Sequence, residues 1–172
     1  MEENKLIENK AYRIFEEVFN KFKENYRENF FYTERDVVWT IQKGLKEKFE
    51  EGGEYEVFND YPLLEGGRRA KSTDLVIRNK KTKEIEVAIE FKYEPNHNRK
   101  EIDIPKKKFN VVSWNGVTKD KEKINELKKG DKCKIAIAIF IDEGGHFSKK
   151  FPENNKYEFW ENKLSILWNI QI

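Results

Sequence analysis

The stretch Asp74–Lys92, DLVIRNKKTKEIEVAIEFK, decides the fold of this chain. Two apolar-rich runs flank a polar turn at Asn79–Lys83, which predicts a β-hairpin with strands near residues 73–78 and 84–93. Side chains alternate between the two faces of a strand. The apolar members of the second strand therefore face a core, and they are Ile85, Val87, Ile89 and Phe91.

The remaining side chains of the second strand share its opposite face, so Glu90 and Lys92 project side by side. With the turn centred near residues 81–82, Asp74 on the first strand falls opposite roughly residues 88–90. An Asp, a Glu and a Lys then converge on one patch of the sheet. Carboxylates grouped in this way could hold a divalent cation.

The composition limits the class of protein. A length of 172 residues suits one domain with a sizeable core, and a net charge of +2 means that any basic surface must be local. The single cysteine, Cys133, excludes an intramolecular disulfide and a cysteine-based zinc cage. The first ten residues lack the apolar stretch of a signal peptide, and the apolar run 135–141 is too short to span a bilayer. We therefore expect a soluble, cytoplasmic protein with no membrane partner.

The region before the hairpin predicts two helices. Residues 4–29 carry apolar side chains at helical spacing, namely Ile7, Ala11, Ile14, Phe15, Val18, Phe22 and Tyr26. This first helix is expected to be a scaffold or a homodimer-forming helix rather than a catalytic one. The second helix opens with Thr33 as N-cap and Asp36 in a capping box. Its buried stripe consists of Val37, Val38, Ile41 and Leu45.

Glu34 extends the buried stripe of the second helix. One explanation is that its carboxylate favours the positive helix N-terminus. The other is that it points past the core towards the polar patch of the sheet. Helical phase alone leaves both open.

The rest of the chain completes an α/β pattern. We expect a first strand at 54–61, a loop from Pro62 to Gly67, and a polar loop after the hairpin in which His97 is solvated rather than a ligand. The later elements are a helix at 117–129 ended by Gly130, a strand at 134–142 covered on both faces, and a closing hairpin at 157–160 and 164–172.

The predicted element order is therefore α-α-β-β-β-α-β-β(β), a mixed central sheet flanked by helices. Residues 1–172 are expected to form a single domain, with residues 1–30 as an N-terminal helix packed on the core.

This order resembles the PD-(D/E)XK, or restriction-endonuclease-like, nuclease superfamily. The residues that carry the resemblance are a helical Glu34, Asp74 ahead of an apolar strand, and Glu90-Phe91-Lys92, followed by a helix and a strand. Thr73 stands where the motif name has Pro, and the Gln-x-x-x-Tyr of the exonuclease-like branch does not follow the lysine. With 32 acidic and 34 basic residues, roughly six acidic-x-basic triplets arise by chance, so position on the hairpin matters more than the triplet.

The resemblance implies hydrolysis of phosphodiester bonds with Mg²⁺ or Mn²⁺, by a DNA endonuclease in preference to an RNA-cleaving enzyme. It assigns metal binding to Asp74, Glu90 and the backbone carbonyl of Phe91, with Glu34 holding a ligand water or second ion. Lys92 would orient or deprotonate the attacking water. The candidate phosphate contacts are Arg68, Arg69, Lys71, Lys106, Lys107 and Lys108. For the run Lys106–Lys108, a solvated stretch of charge is the other interpretation.

Two other interpretations stay open. The chain could be a catalytically inactive nuclease-fold protein that acts as a nucleic-acid-binding or assembly module. It could also be an unrelated α/β protein whose hairpin charges form a solvated face. Metal binding at Asp74 and Glu90 separates the nuclease from the unrelated protein, and metal-dependent cleavage separates it from the inactive module.

Overall fold

The computed structural model describes residues 6, 8–49, 53–64, 71–99, 111–150, 156–161 and 164–172. The helices are α1 (Lys10–Glu24), α2 (Glu34–Lys48) and α3 (Trp114–Lys129), with short 3₁₀ turns at Tyr26–Glu28 and Ser148–Lys150. The strands are β1 (Tyr55–Leu64), β2 (Lys71–Asn79), β3 (Ile85–Glu94), β4 (Ile135–Asp142), β5 (Lys156–Glu161) and β6 (Leu164–Gln171).

The strands form one mixed sheet in the order β1-β2-β3-β4-β6-β5. All neighbours are antiparallel except β3 and β4, which run parallel and are joined through α3. Helices α1 and α2 bury their apolar stripes on one face of the sheet, and α3 packs on the other. The predicted element order and the prediction of an α/β fold with a mixed sheet flanked by helices are confirmed.

The hairpin of β2 and β3 has the predicted turn. Oδ1 of Asn79 accepts hydrogen bonds from the backbone N–H groups of Lys81 and Thr82, and Lys83 takes the left-handed conformation at φ 63°. Leu75 pairs with Ile89, so Asp74 lies one residue beyond this pair, beside Glu90, as expected. The turn therefore sets the register that brings the two carboxylates together.

The alternation predicted for β3 is wrong at Ile85. Ile77 pairs with Val87 but Arg78 pairs with Ile85, so β3 contains one extra residue at this point. Such a bulge reverses the alternation. Ile85 consequently packs in the cluster beneath α3, with Ala88, whereas Val87 belongs to the core on the opposite face.

Strand β1 is longer than predicted, because it continues through Pro62 to Leu64 instead of ending in a loop. Pro62 lacks an N–H group, but β1 is the edge strand, so no second ladder needs that donor. The register shifts between Pro62 and Leu64, where the strand approaches its end. Residues 65–67 of the predicted loop lie outside the described residues.

The helical predictions agree with the structure in their buried faces and differ at the ends. Helix α1 starts after Asn9, whose side chain accepts a hydrogen bond from the backbone of Tyr12. The capping box of Thr33 and Asp36 is present in α2. Strand β4 is buried along its whole length, and β5 and β6 form the closing hairpin. Among the described residues, the helices lack the combination of length and apolar character that crossing a bilayer requires.

Helices α1 and α2 approach closely at Gly44. A Cβ atom at this position would lie 2.8 Å from Cγ1 of Val18. Because a valine in a helix strongly prefers one rotamer, the Val18 side chain cannot easily rotate away. We expect Gly44→Ala to destabilise the protein by about 1 kcal/mol, because overpacking outweighs the higher helix propensity of alanine. Thermal and urea unfolding measure this change. The matched control is the same substitution in a Val18→Ala background, where it should stabilise the protein. If Gly44→Ala alone stabilised the protein, the tight contact between the two helices would be contradicted.

Candidate metal centre

The β2–β3 hairpin presents two carboxylates next to each other. Glu90 is 3% exposed, and Oδ2 of Asp74 accepts a hydrogen bond of 2.7 Å from the backbone N–H of Phe91. This bond fixes the Asp74 carboxylate against the strand that carries Glu90. The two groups are close enough for the charge on Asp74 to raise the pKa of Glu90.

Lys92 connects the hairpin to α2. Its Nζ lies 3.2 Å from Oε2 of Glu34 and 3.3 Å from the carbonyl oxygen of Phe91. Glu34 therefore reaches from the first turn of α2 to the polar patch of the sheet, which decides between the two explanations of its position. The capping role belongs to Asp36, whose Oδ2 accepts from the backbone N–H of Thr33.

Helix α3 adds two residues that the sequence reasoning missed. Oδ2 of Asp120 lies 3.4 Å from Nζ of Lys92, and Nζ of Lys123 lies 2.6 Å from Oε1 of Glu90. Lys123 also donates to the carbonyl oxygen of Ser72. The signal that singled out Glu34 was present here too, because Asp120 follows the buried Val117 by three residues and so extends a buried helical stripe.

These side chains form what we call the acidic cluster, which consists of Glu34, Asp74, Glu90 and Asp120. Two ammonium groups, from Lys92 and Lys123, lie among its carboxylates. Four carboxylates against two ammonium groups give a formal charge of −2 when all are ionised. One divalent cation would balance that charge.

Burial dominates the electrostatics of the acidic cluster. Burial, and then the charge of Asp74, raises the pKa of Glu90 to about 8, although Lys123 acts in the opposite direction. Burial also raises the pKa of Asp74, against the hydrogen bond from Phe91, and the pKa values of Glu34 and Asp120, against Lys92. Each carboxylate is therefore easier to protonate than usual. A bound cation would stabilise the ionised form and so lower these pKa values again.

The oxygen donors of the acidic cluster are of the type that a hard cation with an incomplete protein shell uses. In the described part of the chain, Glu34, Asp74 and Glu90 do not bring three ligand atoms within 4.8 Å of one another. Mg²⁺ commonly uses one or two carboxylates and keeps several waters. Asp74 and Glu90 lie side by side on paired strands, and with the carbonyl of Phe91 they are the oxygen donors that such a cation would use. The donor set therefore fits Mg²⁺ or Mn²⁺.

A groove of about 440 Å³ opens beside Asp74 and Glu34. Asp60 and Trp39 line it as well, and Trp39 is 61% exposed. The groove is therefore lined mainly by carboxylates, with one basic and one aromatic residue, and its charged lining residues are Glu34, Arg35, Asp36, Asp60 and Asp74. A ligand that enters it reaches Asp74 directly.

Most of the basic residues predicted to contact phosphates lie where the structure gives no account of them. Arg68, Arg69 and Lys106–Lys108 are outside the described residues. Lys71 is the first residue of β2, three positions before Asp74. Their role as phosphate contacts stays a prediction.

Comparisons with family models, with curated proteins and with solved structures found no significant match. The resemblance to the PD-(D/E)XK superfamily therefore depends on the residues and their arrangement alone. What the arrangement adds is the convergence of Glu34, Asp74, Glu90 and Lys92 from two strands and a helix.

The metal centre can be tested by thermal unfolding of the full chain with Mn²⁺ or Ca²⁺. A cation at ten times its Kd should stabilise the folded state by about 1.4 kcal/mol, or roughly 3–6 °C in Tm. We expect Glu90→Gln to abolish this shift because it removes a charged oxygen ligand. An equal metal response in wild type and Glu90→Gln would place the cation elsewhere.

The pH dependence provides an internal control for the same experiment. Because the pKa of Glu90 rises from 4.5 to about 8 on folding, the folded state binds the extra proton and loses stability as pH increases through that window. Without metal, Glu90→Gln should therefore be more stable than wild type at about pH 9. This difference in stability should disappear at about pH 5. The metal-induced shift of wild type should increase over the same range, since the cation competes with the proton.

Proposed function

We propose that this protein is a divalent-metal-dependent nuclease of the PD-(D/E)XK type that cuts within DNA. The observation that carries the proposal is the convergence of Asp74 and Glu90 across the hairpin, next to Lys92 and the helical Glu34. Their order along the chain, and the helix and strand that follow, are those that the resemblance predicts; the strand pairs in parallel with β3.

Asp74, Glu90 and the carbonyl of Phe91 would hold the cation. When bound, Mg²⁺ or Mn²⁺ would supply a water of lowered pKa and polarise the phosphate oxygens. The acidic cluster is suited to retain it, because its four carboxylates, when all are ionised, exceed its two lysines by two negative charges. The hydrogen bond from Phe91 to Asp74 keeps one carboxylate oxygen engaged and orients the other.

Lys92 would act through its positive charge. Burial lowers the pKa of Lys92, but the charges of Glu34 and Asp120 together raise it by more, so the net pKa lies above its usual value. The side chain is therefore an ammonium group at neutral pH and suits hydrogen-bond donation to a water or a phosphate oxygen better than proton abstraction. Of the two roles that the resemblance leaves open for this lysine, orientation and charge compensation are the better supported.

Glu34 and Asp120 would position Lys92 from opposite sides of the sheet. Both carboxylates lie within 4 Å of its Nζ, at 3.2 and 3.4 Å. A lysine held by two partners keeps a single orientation over the Phe91 carbonyl. Glu34 also faces the groove beside Asp74, where it could hold a ligand water of the metal.

Two features support a nucleic acid as the substrate. The groove runs directly to Asp74, and the exposed indole of Trp39 offers a surface on which a base can stack. The carboxylates that line the groove outnumber its one arginine and would repel a phosphate chain in the absence of metal. Nucleic-acid binding should therefore depend on the cation.

Cleavage of supercoiled plasmid DNA tests the proposed activity. We expect nicking with Mg²⁺ or Mn²⁺ and none with EDTA. Lys92→Ala should reduce turnover by about a hundredfold or more, since it removes charge stabilisation of the transition state, and should leave the metal-induced Tm shift in place. Lys81→Ala, an exposed lysine in the hairpin turn, is the matched control. Wild-type rates for Lys92→Ala would refute its role, and metal-dependent DNA binding without cleavage would favour the inactive module.

A pair of substitutions in the first turn of α2 separates catalysis from capping. Glu34→Gln should lower the cleavage rate with little change in stability, because its partner Lys92 lies at the centre. Asp36→Ala should cost on the order of 1 kcal/mol of stability as a lost cap and should retain activity below its Tm. Cleavage rates and urea unfolding measure the two effects. Equal activity losses in both variants, with unchanged stability, would contradict this division.

A further inference from the structure

A second group of metal-ligating side chains lies at the far end of β3, away from the acidic cluster. Glu94, His97 and His146 each offer one ligand atom, and these three atoms lie within 4.8 Å of one another. Nε2 of His97 is 2.8 Å from Oε1 of Glu94, and the imidazole rings of the two histidines are 5.1 Å apart. The expectation that His97 is solvated holds only in part, because its side chain is 32% exposed while its ring contacts a buried carboxylate and lies beside a second histidine.

The parallel pairing of β3 and β4 builds this group. Glu94, the last residue of β3, pairs with Asp142, the last residue of β4. Parallel strands end at the same edge of a sheet, so the segments that follow them, with His97 and His146, meet there. The chain has two histidines, and the fold brings them together from positions 49 residues apart in the sequence.

Both segments are held in place by partly buried hydrogen bonds. Asp142 is fully buried and accepts from the backbone N–H groups of His146 and Phe147. Glu143 accepts from the backbone N–H of Asn96 at 2.7 Å and forms an ion pair with Arg99. These contacts tie the turn that carries His146 to the loop that carries His97. The group is therefore built into the fold and is not a chance meeting of surface side chains.

Glu94 has the surroundings of an anchored ligand. It is 2% exposed, and its Oε2 accepts a hydrogen bond of 2.6 Å from the backbone N–H of Val112, which leaves Oε1 directed at His97. A metal-ligating carboxylate is commonly oriented by such an outer hydrogen bond. A Cβ atom at position 144 would collide with the ring of His146, so Gly144 gives this ring its room.

The geometry points to a site for Zn²⁺ at Glu94, His97 and His146. Two imidazoles and one carboxylate form a common three-ligand set for zinc, with a fourth position open to water. Ligand atoms around a tetrahedral zinc are about 3.3 Å apart. Oε1 of Glu94 and Nε2 of His97, now 2.8 Å apart, therefore have to separate by about 0.5 Å and give up their direct contact to the metal. His146, which is exposed, has to move in by at most about 1.5 Å. Imidazole ligands favour a borderline metal such as zinc over Mg²⁺, which distinguishes this site from the acidic cluster.

The site would act as a clamp between the segments after β3 and β4. Lys92 and Glu94 share one face of β3 and are two residues apart, about 7 Å along the strand. A metal that fixes the end of β3 and the following loop would therefore hold the strand on which Lys92 lies. The proposal does not require the chain to be a nuclease.

The test uses the full chain stripped of metal with a chelator and then titrated with Zn²⁺ in a competition assay. We expect one tight equivalent, with the imidazole NMR signals of both histidines shifting together. His146→Gln, at an exposed position, and His97→Gln should each weaken binding by more than the roughly 10–100-fold that loss of an outer-shell partner costs. Zn²⁺ binding equal to wild type in His146→Gln would overturn the site.

Two further variants keep the result specific. Cys133→Ser removes the one thiol of the chain and should leave Zn²⁺ affinity unchanged; loss of binding there would assign the metal to the thiol. Glu90→Gln should bind Zn²⁺ as wild type does while losing its response to Mn²⁺, so the two centres fail independently. Loss of tight Zn²⁺ binding in Glu90→Gln would overturn the separate site and assign the ion to the acidic cluster.

Discussion

The carboxylate of Glu90 lies in the middle of a sheet that is otherwise largely apolar, and its burial constrains everything around it. Removing a charge from water costs several kcal/mol unless a partner of opposite charge is buried with it. Lys123 supplies that partner from α3, and its Nζ also donates to the backbone of Ser72 on β2. One lysine thereby joins the helix on one face of the sheet to two of its strands.

The compensation around Glu90 is incomplete. Its pKa stays raised to about 8 even with Lys123 in contact, because Asp74 adds a second negative charge nearby. A fold selected for stability alone would replace such a group by an apolar residue, as the neighbouring Ile89 and Phe91 illustrate on the other face. Residues that violate local rules in this way are expected where a site requires them. The instability of the ionised cluster is thus a reason to expect a cation there.

The sequence predicts the hairpin and the convergence of Asp74 with Glu90 because both follow from local rules. The turn at Asn79–Lys83 fixes the register, and strand alternation then fixes which side chains share a face. The same rules fail at Ile85, where a bulge inserts one residue and reverses the alternation. Pro62 was misassigned for another reason, since only the strand order shows that β1 is an edge strand.

Contacts between elements that are distant in sequence are harder to predict from the sequence. Asp120 and Lys123 lie on the inward side of α3, but their partners depend on how that helix crosses the sheet. The grouping of His97 with His146 depends on the parallel pairing of β3 with β4, which neither segment encodes by itself. Helical phase identifies candidate side chains, and only the packing of the elements identifies what they meet.

Strand β3 presents Glu90, Lys92 and Glu94 in succession on one face, so its two proposed metal centres are neighbours with different ligands. Zinc binds most nitrogen and oxygen sites more tightly than Mg²⁺ does, and an oxygen-only centre is therefore exposed to the wrong metal. Imidazoles at the end of the strand give zinc a better site than the carboxylates do. Separation of ligand chemistry, with oxygen donors at Glu90 and nitrogen donors beyond Glu94, would let both metals bind one strand without exchange. The same strand would then combine a reactive centre with the clamp that holds it.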